Sequence, residues 1–328
     1  WGYPRGGVGG SCHIEEQLRG DVRQIYCTDA AFAALKSQGT VITWGNESAG
    51  GKSRGVQQQL QRDVERIYST NGGAFAAVKF GGSVVTWGNA AAGGDSRSVE
   101  GQLEGDILHI YSTHKAFAAL KVDGSVVTWG YAGSGGNSRA VRKQLAEEIV
   151  RIYSTHKAFA ALKVDSSVVT WGHAESGGDS CTVQKQLQGK IQHIYSTHHA
   201  FAALKDHGSV VTWGREKYGG DSRAVQQQLQ GDIVNIYSTF YAFAVLKVDG
   251  SVVTWGAADA GGDSSTVQQQ LEGEIEHIYS TEAAFAALKF GGSVVTWGDE
   301  EVQYRARWSS IYRKRSSTCT LRMSLLQR

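Results

Sequence analysis

Seven tryptophans recur at almost constant spacing along this 328-residue chain. They are Trp44, Trp87, Trp129, Trp171, Trp213, Trp255 and Trp297, separated by 43 residues once and by 42 thereafter. Each precedes glycine and closes a six-residue run: TVITWG at 40–45, and SVVTWG at 83–88, 125–130, 167–172, 209–214, 251–256 and 293–298. Trp1-Gly2 stands 43 residues before Trp44, so eight Trp-Gly pairs bound seven units. Such a period means an array of like supersecondary units, none able to bury its apolar face alone. One repeated architecture over residues 1–298 is expected in place of two unrelated domains.

The unit ending at Trp255 shows the internal pattern. Gly219-Gly220-Asp221-Ser222 reads as a turn, with Ser222 or Asp221 placed to cap the polar segment 223–230 (RAVQQQLQ). Val225 and Leu229 give that segment one thin apolar stripe over about two helical turns. Residues 233–239 (IVNIYST) and 242–248 (AFAVLKV) read as strands interrupted at Phe240-Tyr241. Asp249-Gly250 is a tight hairpin signal, and 251–255 is a third strand. The expected fold class is all-β, with 42–43-residue repeats of three clear strands plus a short helix or irregular fourth strand.

This unit resembles the repeat of the RCC1 (regulator of chromosome condensation) family. The resemblance rests on Tyr111-Ser112-Thr113 ending one strand, the apolar strand 116–120, the Asp123-Gly124 turn, and the strand 126–130 closing in Trp-Gly. It covers roughly residues 1–298, with a unit shorter than that family's usual blade. The marks of WD-type propellers, a terminal Trp-Asp and a Gly-His, are absent. The resemblance implies a seven-bladed β-propeller, closed as a ring by both chain ends. An open β-solenoid, with degraded polar caps, is the alternative. A chain that starts on tryptophan in mid-unit fits a fragment or an offset ring.

Composition narrows the function classes. With 41% hydrophobic and 20% charged residues, 42 glycines and one proline, the chain reads as globular and turn-rich. No apolar run approaches the roughly 18 residues of a membrane helix, so no membrane partner is expected. Cys12, Cys27, Cys181 and Cys319 form no CxxC pair and do not recur with the repeat. Neither a disulfide framework nor a zinc knuckle is expected, and isolated thiols point to an intracellular chain, cytoplasmic or nuclear. Asn46-Glu47-Ser48 is a glycosylation sequon by pattern alone.

Net charge is +2, yet residues 299–328 hold seven Arg/Lys against three Asp/Glu. The repeat body is near neutral and offers no polyanion-binding surface. The basic tail interleaves Arg305, Arg307, Arg313, Lys314 and Arg315 with Tyr304, Trp308 and Tyr312. That composition suits a nucleic-acid contact by counterion release and stacking, and equally a solvated extension. Any nucleic-acid partner would engage the tail only.

Comparing the seven copies with one another shows where the chain varies. One variable stretch follows Trp-Gly and includes Asn46, Glu47, Tyr131, His173, Arg215 and Lys217. The other breaks the first two strands and includes Asp29, Asn71, His114, Lys115, His156, Lys157, His198, His199, Phe240, Tyr241 and Glu282. Strand two runs from the break to the hairpin turn and strand three runs back, so both stretches belong at one end of the unit. Variable loops on a rigid scaffold are where binding specificity sits; solvent-facing drift would look the same. The tryptophans read as buried structural wedges.

Chemical motifs reduce to turns and caps. His114, His156 and His198 occupy one repeat position, but a metal site needs them to converge with about 2 Å bonds. Equivalent loops of neighbouring units are expected to sit too far apart for that, and His109, His193 and His277 fall under the same judgement. Gly50-Gly51-Lys52-Ser53 resembles the end of a phosphate loop, whose pattern requires glycine at position 46, where Asn46 stands. Asp95, Asp179, Asp221 and Asp263 precede serine in a capping position and lack the alternating oxygen ligands of a calcium loop. No Ser-His-Asp or Cys-His arrangement stands out. No metal, cofactor or catalytic residue is expected.

The expected function is a non-enzymatic, monomeric scaffold presenting its variable rim to a protein partner. The resemblance also implies guanine-nucleotide exchange on a small GTPase, or substrate recognition as in ubiquitin ligases with RCC1-like domains. In that family exchange depends on a wedge projecting from a blade, for which the constant 42-residue intervals leave no room. The ligase reading would require a catalytic domain that this sequence does not carry.

Overall fold

The computed structural model describes residues 11–300; Trp1-Gly2 and the expected basic tail beyond Glu300 lie outside the described residues. The chain divides into two compact units, Trp1–Asp221 and Ser222–Arg328.

After a short helix, α1 (Ser11–Gln17), the first unit carries five three-stranded sheets in chain order. They are β1–β3 (Val22–Cys27, Ala31–Lys36, Val41–Gly45) and β4–β6 (Val64–Thr70, Ala74–Lys79, Val84–Gly88). Then come β7–β9 (Ile107–Ser112, Ala116–Lys121, Val126–Gly130), β10–β12 (Ile149–Ser154, Ala158–Lys163, Val168–Gly172) and β13–β15 (Ile191–Ser196, Ala200–Lys205, Val210–Gly214). The second unit carries β16–β18 (Ile233–Ser238, Ala242–Lys247, Val252–Gly256) and β19–β21 (Ile275–Ser280, Ala284–Lys289, Val294–Gly298). Each sheet is an antiparallel meander whose middle strand is the Ala-Phe-Ala segment. Register repeats from sheet to sheet: Ile110 faces Ala119 and Phe117 faces Trp129, as Ile152 faces Ala161 and Phe159 faces Trp171. A bulge follows the first residue of every opening strand.

Middle strands are apolar on both faces because both faces are covered. Between the second and third sheets, Ala74, Ala76 and Val78 meet Ile107, Ile110, Phe117 and Trp129. Small alanines on one side admit large rings on the other, and the same division recurs between the first and second, third and fourth, and fourth and fifth sheets. The indole edge completes the contact. Trp129 Nε1 donates to Gly93 O at 3.0 Å, Trp171 Nε1 to Gly135 O at 3.0 Å, and Trp213 Nε1 to Gly177 O at 3.1 Å. The second unit repeats this with Trp297 Nε1 and Gly261 O at 3.0 Å. Phe117, Phe159 and Phe201 stack on the tryptophans of their own sheets at 5.1 Å.

The polar segment takes the first of its two expected forms, a short helix. Among the described residues no sheet has a fourth strand, and the segment is a 3₁₀ helix, as at Arg54–Leu60, Arg97–Gln102 and Ser265–Leu271. A single buried leucine anchors it, Leu60 or Leu271; one anchor on so short a segment leaves an α-helical nucleus unsupported. Of the two capping candidates, Ser222 stands at the N-cap of Arg223–Val225 with no side-chain cap bond. Elsewhere the serine accepts from the strand-three threonine, Thr86 Oγ1 donating to Ser96 Oγ and Thr254 Oγ1 to Ser264 Oγ, each at 3.0 Å. The preceding aspartate does the capping: Asp179 Oδ1 accepts from Cys181 N and Asp263 Oδ1 from Ser265 N, each at 2.9 Å.

Gly135 has φ +92°, and a Cβ there would lie 2.6 Å from Phe159 Cδ2. Gly135→Ala therefore strains the backbone and pushes the ring that holds Trp171, costing about 2–4 kcal/mol. Gly101→Ala meets nothing within 4 Å and is expected to be neutral. Thermal melts of the two variants beside the parent check the difference.

Candidate interaction surface

The two variable stretches lie side by side in every sheet, because the first residue after Trp-Gly hydrogen-bonds the end of the break. In the first unit Asn46 N donates to Ala30 O at 2.8 Å, Tyr131 N to Lys115 O at 2.8 Å, His173 N to Lys157 O at 2.9 Å and Arg215 N to His199 O at 2.9 Å. In the second, Ala257 N donates to Tyr241 O at 2.9 Å. A threonine clamps each pair from beneath. Thr113 Oγ1 accepts from Ala116 N at 3.1 Å and donates to Ser134 O at 2.8 Å, and Thr155 and Thr197 repeat this. These hydroxyls are buried and satisfied, which fixes the loops to the sheets.

Consecutive break loops also join, which corrects the expectation that they sit apart. Asp29 N donates to Asn71 O at 3.3 Å, His114 N to His156 O at 3.0 Å and His156 N to His198 O at 2.9 Å; in the second unit Phe240 N donates to Glu282 O at 2.9 Å. The imidazoles follow their backbones. His114 stacks on His156 with ring centroids 4.4 Å apart, and His156 lies 5.2 Å from His198 and 6.2 Å from His199. The cause is that opening strands of neighbouring sheets lie against each other, β7 against β10 and β10 against β13. The close pair meets through ring faces. Among the described residues no group of three or more His, Cys, Asp or Glu side chains could hold a metal ion.

Burial and mutual repulsion keep this cluster uncharged near neutrality. Burial lowers His156 to about 4, assisted by His114, His199 and Lys157 and opposed by Asp29. Burial lowers His198 to about 4 as well, with His156, His199 and His114 adding to it. His114 is lowered by burial and then Lys115, and its Nδ1 is buried without a hydrogen-bond partner among the described residues. His199 is lowered by burial, then by Arg215, Lys157 and His173.

The post-Trp-Gly residues reach outward. Tyr131, His173, Arg215, Lys217, Asn46 and Glu47 are exposed, as are Asp29, Asn71 and Glu282, whereas Lys115, Lys157, Phe240 and Tyr241 are half-buried. Asn46 is partly committed, its Oδ1 accepting from Ser48 N at 2.9 Å. Tyr218, absent from the sequence-derived set, carries the Arg215 guanidinium 5.2 Å and the Lys217 ammonium 5.9 Å from its ring centre. An aromatic following two cations in one variable stretch, Arg215-Glu216-Lys217-Tyr218, was the signal for it.

The other singled-out residues fall elsewhere. His109, His193 and His277 sit on opening strands, edge-on to Tyr68, Tyr153 and Tyr237 at 5.0–5.2 Å. Lys52 pairs with Glu47 at the surface. Trp87, Trp129, Trp171, Trp213, Trp255 and Trp297 are buried, and Trp44 half-buried. Two depressions lie at hairpin-turn ends: one of about 520 Å³ in the first unit, lined by Lys36, Thr40 and Gln57 among others, and one of about 330 Å³ in the second, lined by Val234, Val248 and Phe290 among others. Sequence reasoning placed no site there, although an apolar residue inside a hairpin turn marks five of the seven copies. No helix of the described residues is long and apolar enough to cross a membrane.

No family model matches the chain, and no curated protein matches it. Among solved structures it is similar to Prp20p of Saccharomyces cerevisiae, a protein studied for its binding to Gsp1p and histones, at 14% identity over 88% of this chain and 85% of that one, with a TM-score of 0.45. It is also similar to human WBSCR16 at 12% identity, covering 84% and 87%, TM-score 0.44. The ectodomain of the Physcomitrella patens receptor kinase CR4 shares 16%, covering 84% and 72%, TM-score 0.42. By its own blade, a Tyr-Ser-Thr strand, an Ala-Phe-Ala strand, a tight turn and a Trp-Gly strand repeated in seven three-stranded sheets, the fold class is that of the RCC1-like seven-bladed β-propeller.

The histidine cluster makes stability pH-dependent. Because the folded state depresses these pKa values, it binds fewer protons than the unfolded chain, whose histidines titrate near 6.5. Stability is then full above pH 6.5 and falls as pH drops toward 4. Replacing His114, His156 and His198 with glutamine is expected to flatten that slope of melting temperature against pH; an unchanged slope would assign it to other groups.

Proposed function

We propose that the chain is a non-enzymatic scaffold whose Trp-Gly end binds a protein partner. One observation carries this reading: in every sheet the two stretches that differ most between copies are joined by a backbone hydrogen bond, and in six of the seven a buried threonine holds them. The constant residues build the sheets, and these two variable stretches share one end. Loops on such a support lose little conformational entropy on binding, which favours affinity. The side chains there suit a protein contact. Tyr131 and Tyr218 offer aromatic area, Arg215 and Lys217 supply positive charge, and the stacked imidazoles add a neutral polar surface at pH 7. Tyrosine and arginine are the residue types that dominate interface energetics.

The test exchanges exposed side chains only. A variant carrying Tyr131→Ser, Arg215→Glu and Lys217→Glu is expected to keep the parent's melting temperature. In cross-linking capture from extract it should lose at least one partner that the parent holds. Identical partner sets at equal yield would overturn the assignment of this end as the working surface.

A further inference from the structure

The opposite end of each sheet carries a feature that the fold does not require. The residue after the lysine of the middle strand is Ser37, Phe80, Val122, Val164, Asp206, Val248 or Phe290. In all seven turns its backbone N–H donates to the carbonyl of a residue shortly before the opening strand, as Phe290 N does to Glu274 O at 3.0 Å and Ser37 N to Asp21 O at 2.9 Å. The bond uses main-chain atoms alone, so serine and aspartate serve as well as phenylalanine. Five turns nevertheless hold an apolar side chain, each exposed by 66–79%. Scattered apolar residues on a surface need no explanation. In the second unit, however, they converge.

There Val248 (69% exposed) and Phe290 (73%) line one groove of about 330 Å³ together with Val234 (56%). Val234 reaches it because the bulge between Ile233 and Asn235 turns that side chain out of the pairing register. The remaining lining is charged on one side: Asp249, Glu274 and Glu276 are acidic against a single Lys247. Asp249 accepts from Ser251 N at 2.9 Å and Ser251 Oγ at 2.6 Å, which holds its carboxylate ionised in place. An apolar floor alone would accept any greasy side chain. Three carboxylates around it repel phosphate and acidic segments and attract cations.

We propose that this groove binds a segment of a partner protein in which one apolar side chain is flanked by lysine or arginine. The apolar side chain seats among Val234, Val248 and Phe290, and its basic neighbours face Glu274, Glu276 and Asp249. The surface is distinct from the Trp-Gly end of the same sheets.

The test titrates the full chain against two fluorescein-labelled synthetic peptides by anisotropy. One carries a photoreactive leucine between two Lys-Arg pairs, and its partner has glutamate in place of the four cations. The basic peptide is expected to bind at least about tenfold more tightly, because four cations in place of four carboxylates meet Asp249, Glu274 and Glu276. Combining Val248→Ser with Phe290→Ser should remove that binding. Combining Glu274→Gln with Glu276→Gln should weaken it about tenfold and flatten its salt dependence. All four side chains are exposed, so the melting temperature should not move, and photocross-links should map to Val234, Val248 or Phe290. Equal binding of both peptides, unaltered binding by both variants, or cross-links elsewhere would overturn the proposal. Binding that appears only after removal of residues 299–328 would name the chain's own tail as occupant. A dimer dissolved by Phe290→Ser would name a second copy. Either result would overturn the assignment to a partner.

Discussion

The contact on which the sheets depend is a three-part lock of glycine, tryptophan and phenylalanine. A glycyl carbonyl, such as Gly135 O, accepts the indole N–H of the following sheet's Trp171, while Phe159 stacks on that indole and fills the space where a Cβ on Gly135 would stand. Each partner is needed for the other two. Without the glycine the ring cannot approach; without the ring the indole has no fixed plane; without the indole a buried carbonyl goes unpaired, a loss of about 1–3 kcal/mol. Mutual dependence of this kind explains why these three residue types hardly change between copies. It also joins residues only 36 positions apart in sequence, Gly135 and Trp171, so consecutive sheets within each unit are tied by local contacts that order quickly.

The lock uses only the ring, the indole and a glycine, so the side chains of the loops beyond the strands are released from packing duty. At the Trp-Gly end the backbone still needs support, and threonine supplies it by accepting one N–H and donating to one carbonyl. At the hairpin end the support comes from the main chain itself, as in Phe290 N to Glu274 O. In neither case does the side chain of the neighbouring variable residue take part. Substitution there changes the surface without touching the core, which is the physical condition for a repeat to diversify in function while keeping its fold.

Much of this was readable in the sequence. The run SVVTWG alternates too little for a one-sided strand, and its burial on both faces is the reason. Asp123-Gly124 announced its turn, and the break at Phe240-Tyr241 sits where the strands part. Three things were hidden, each for an identifiable cause. The polar segment read as a short helix or an irregular strand, capped by serine or aspartate, and the sequence did not choose: the serine hydroxyl is taken by the strand-three threonine, and one leucine anchors no more than a 3₁₀ turn. The stacking of His114 on His156 joins residues 42 apart and depends on how closely opening strands approach, which no local pattern encodes. The outward Val234 follows from a bulge that leaves no mark in the composition.

The histidine cluster shows what repetition can build that a single unit cannot. One imidazole on a loop is an ordinary titrating group near pH 6.5. Stacked on an identical neighbour, it is desolvated by that ring and repelled by that ring's charge, so each copy lowers the tendency of the next to protonate. Lys157 adds to the effect and Asp29 only partly offsets it. Duplicating one residue therefore does more than copy a property; it keeps the imidazoles neutral down through pH 5–6, where a lone one would be charged. The positive charge of the Trp-Gly end then comes from Lys115, Lys157, Arg215 and Lys217, while the imidazoles between them act as flat, uncharged polar surface. A partner meeting this end in the first unit faces discrete cations around a neutral stack. A partner meeting the hairpin end of the second unit faces an apolar floor edged with carboxylates. The two ends of the sheets thus differ in surface chemistry while the core between them stays the same.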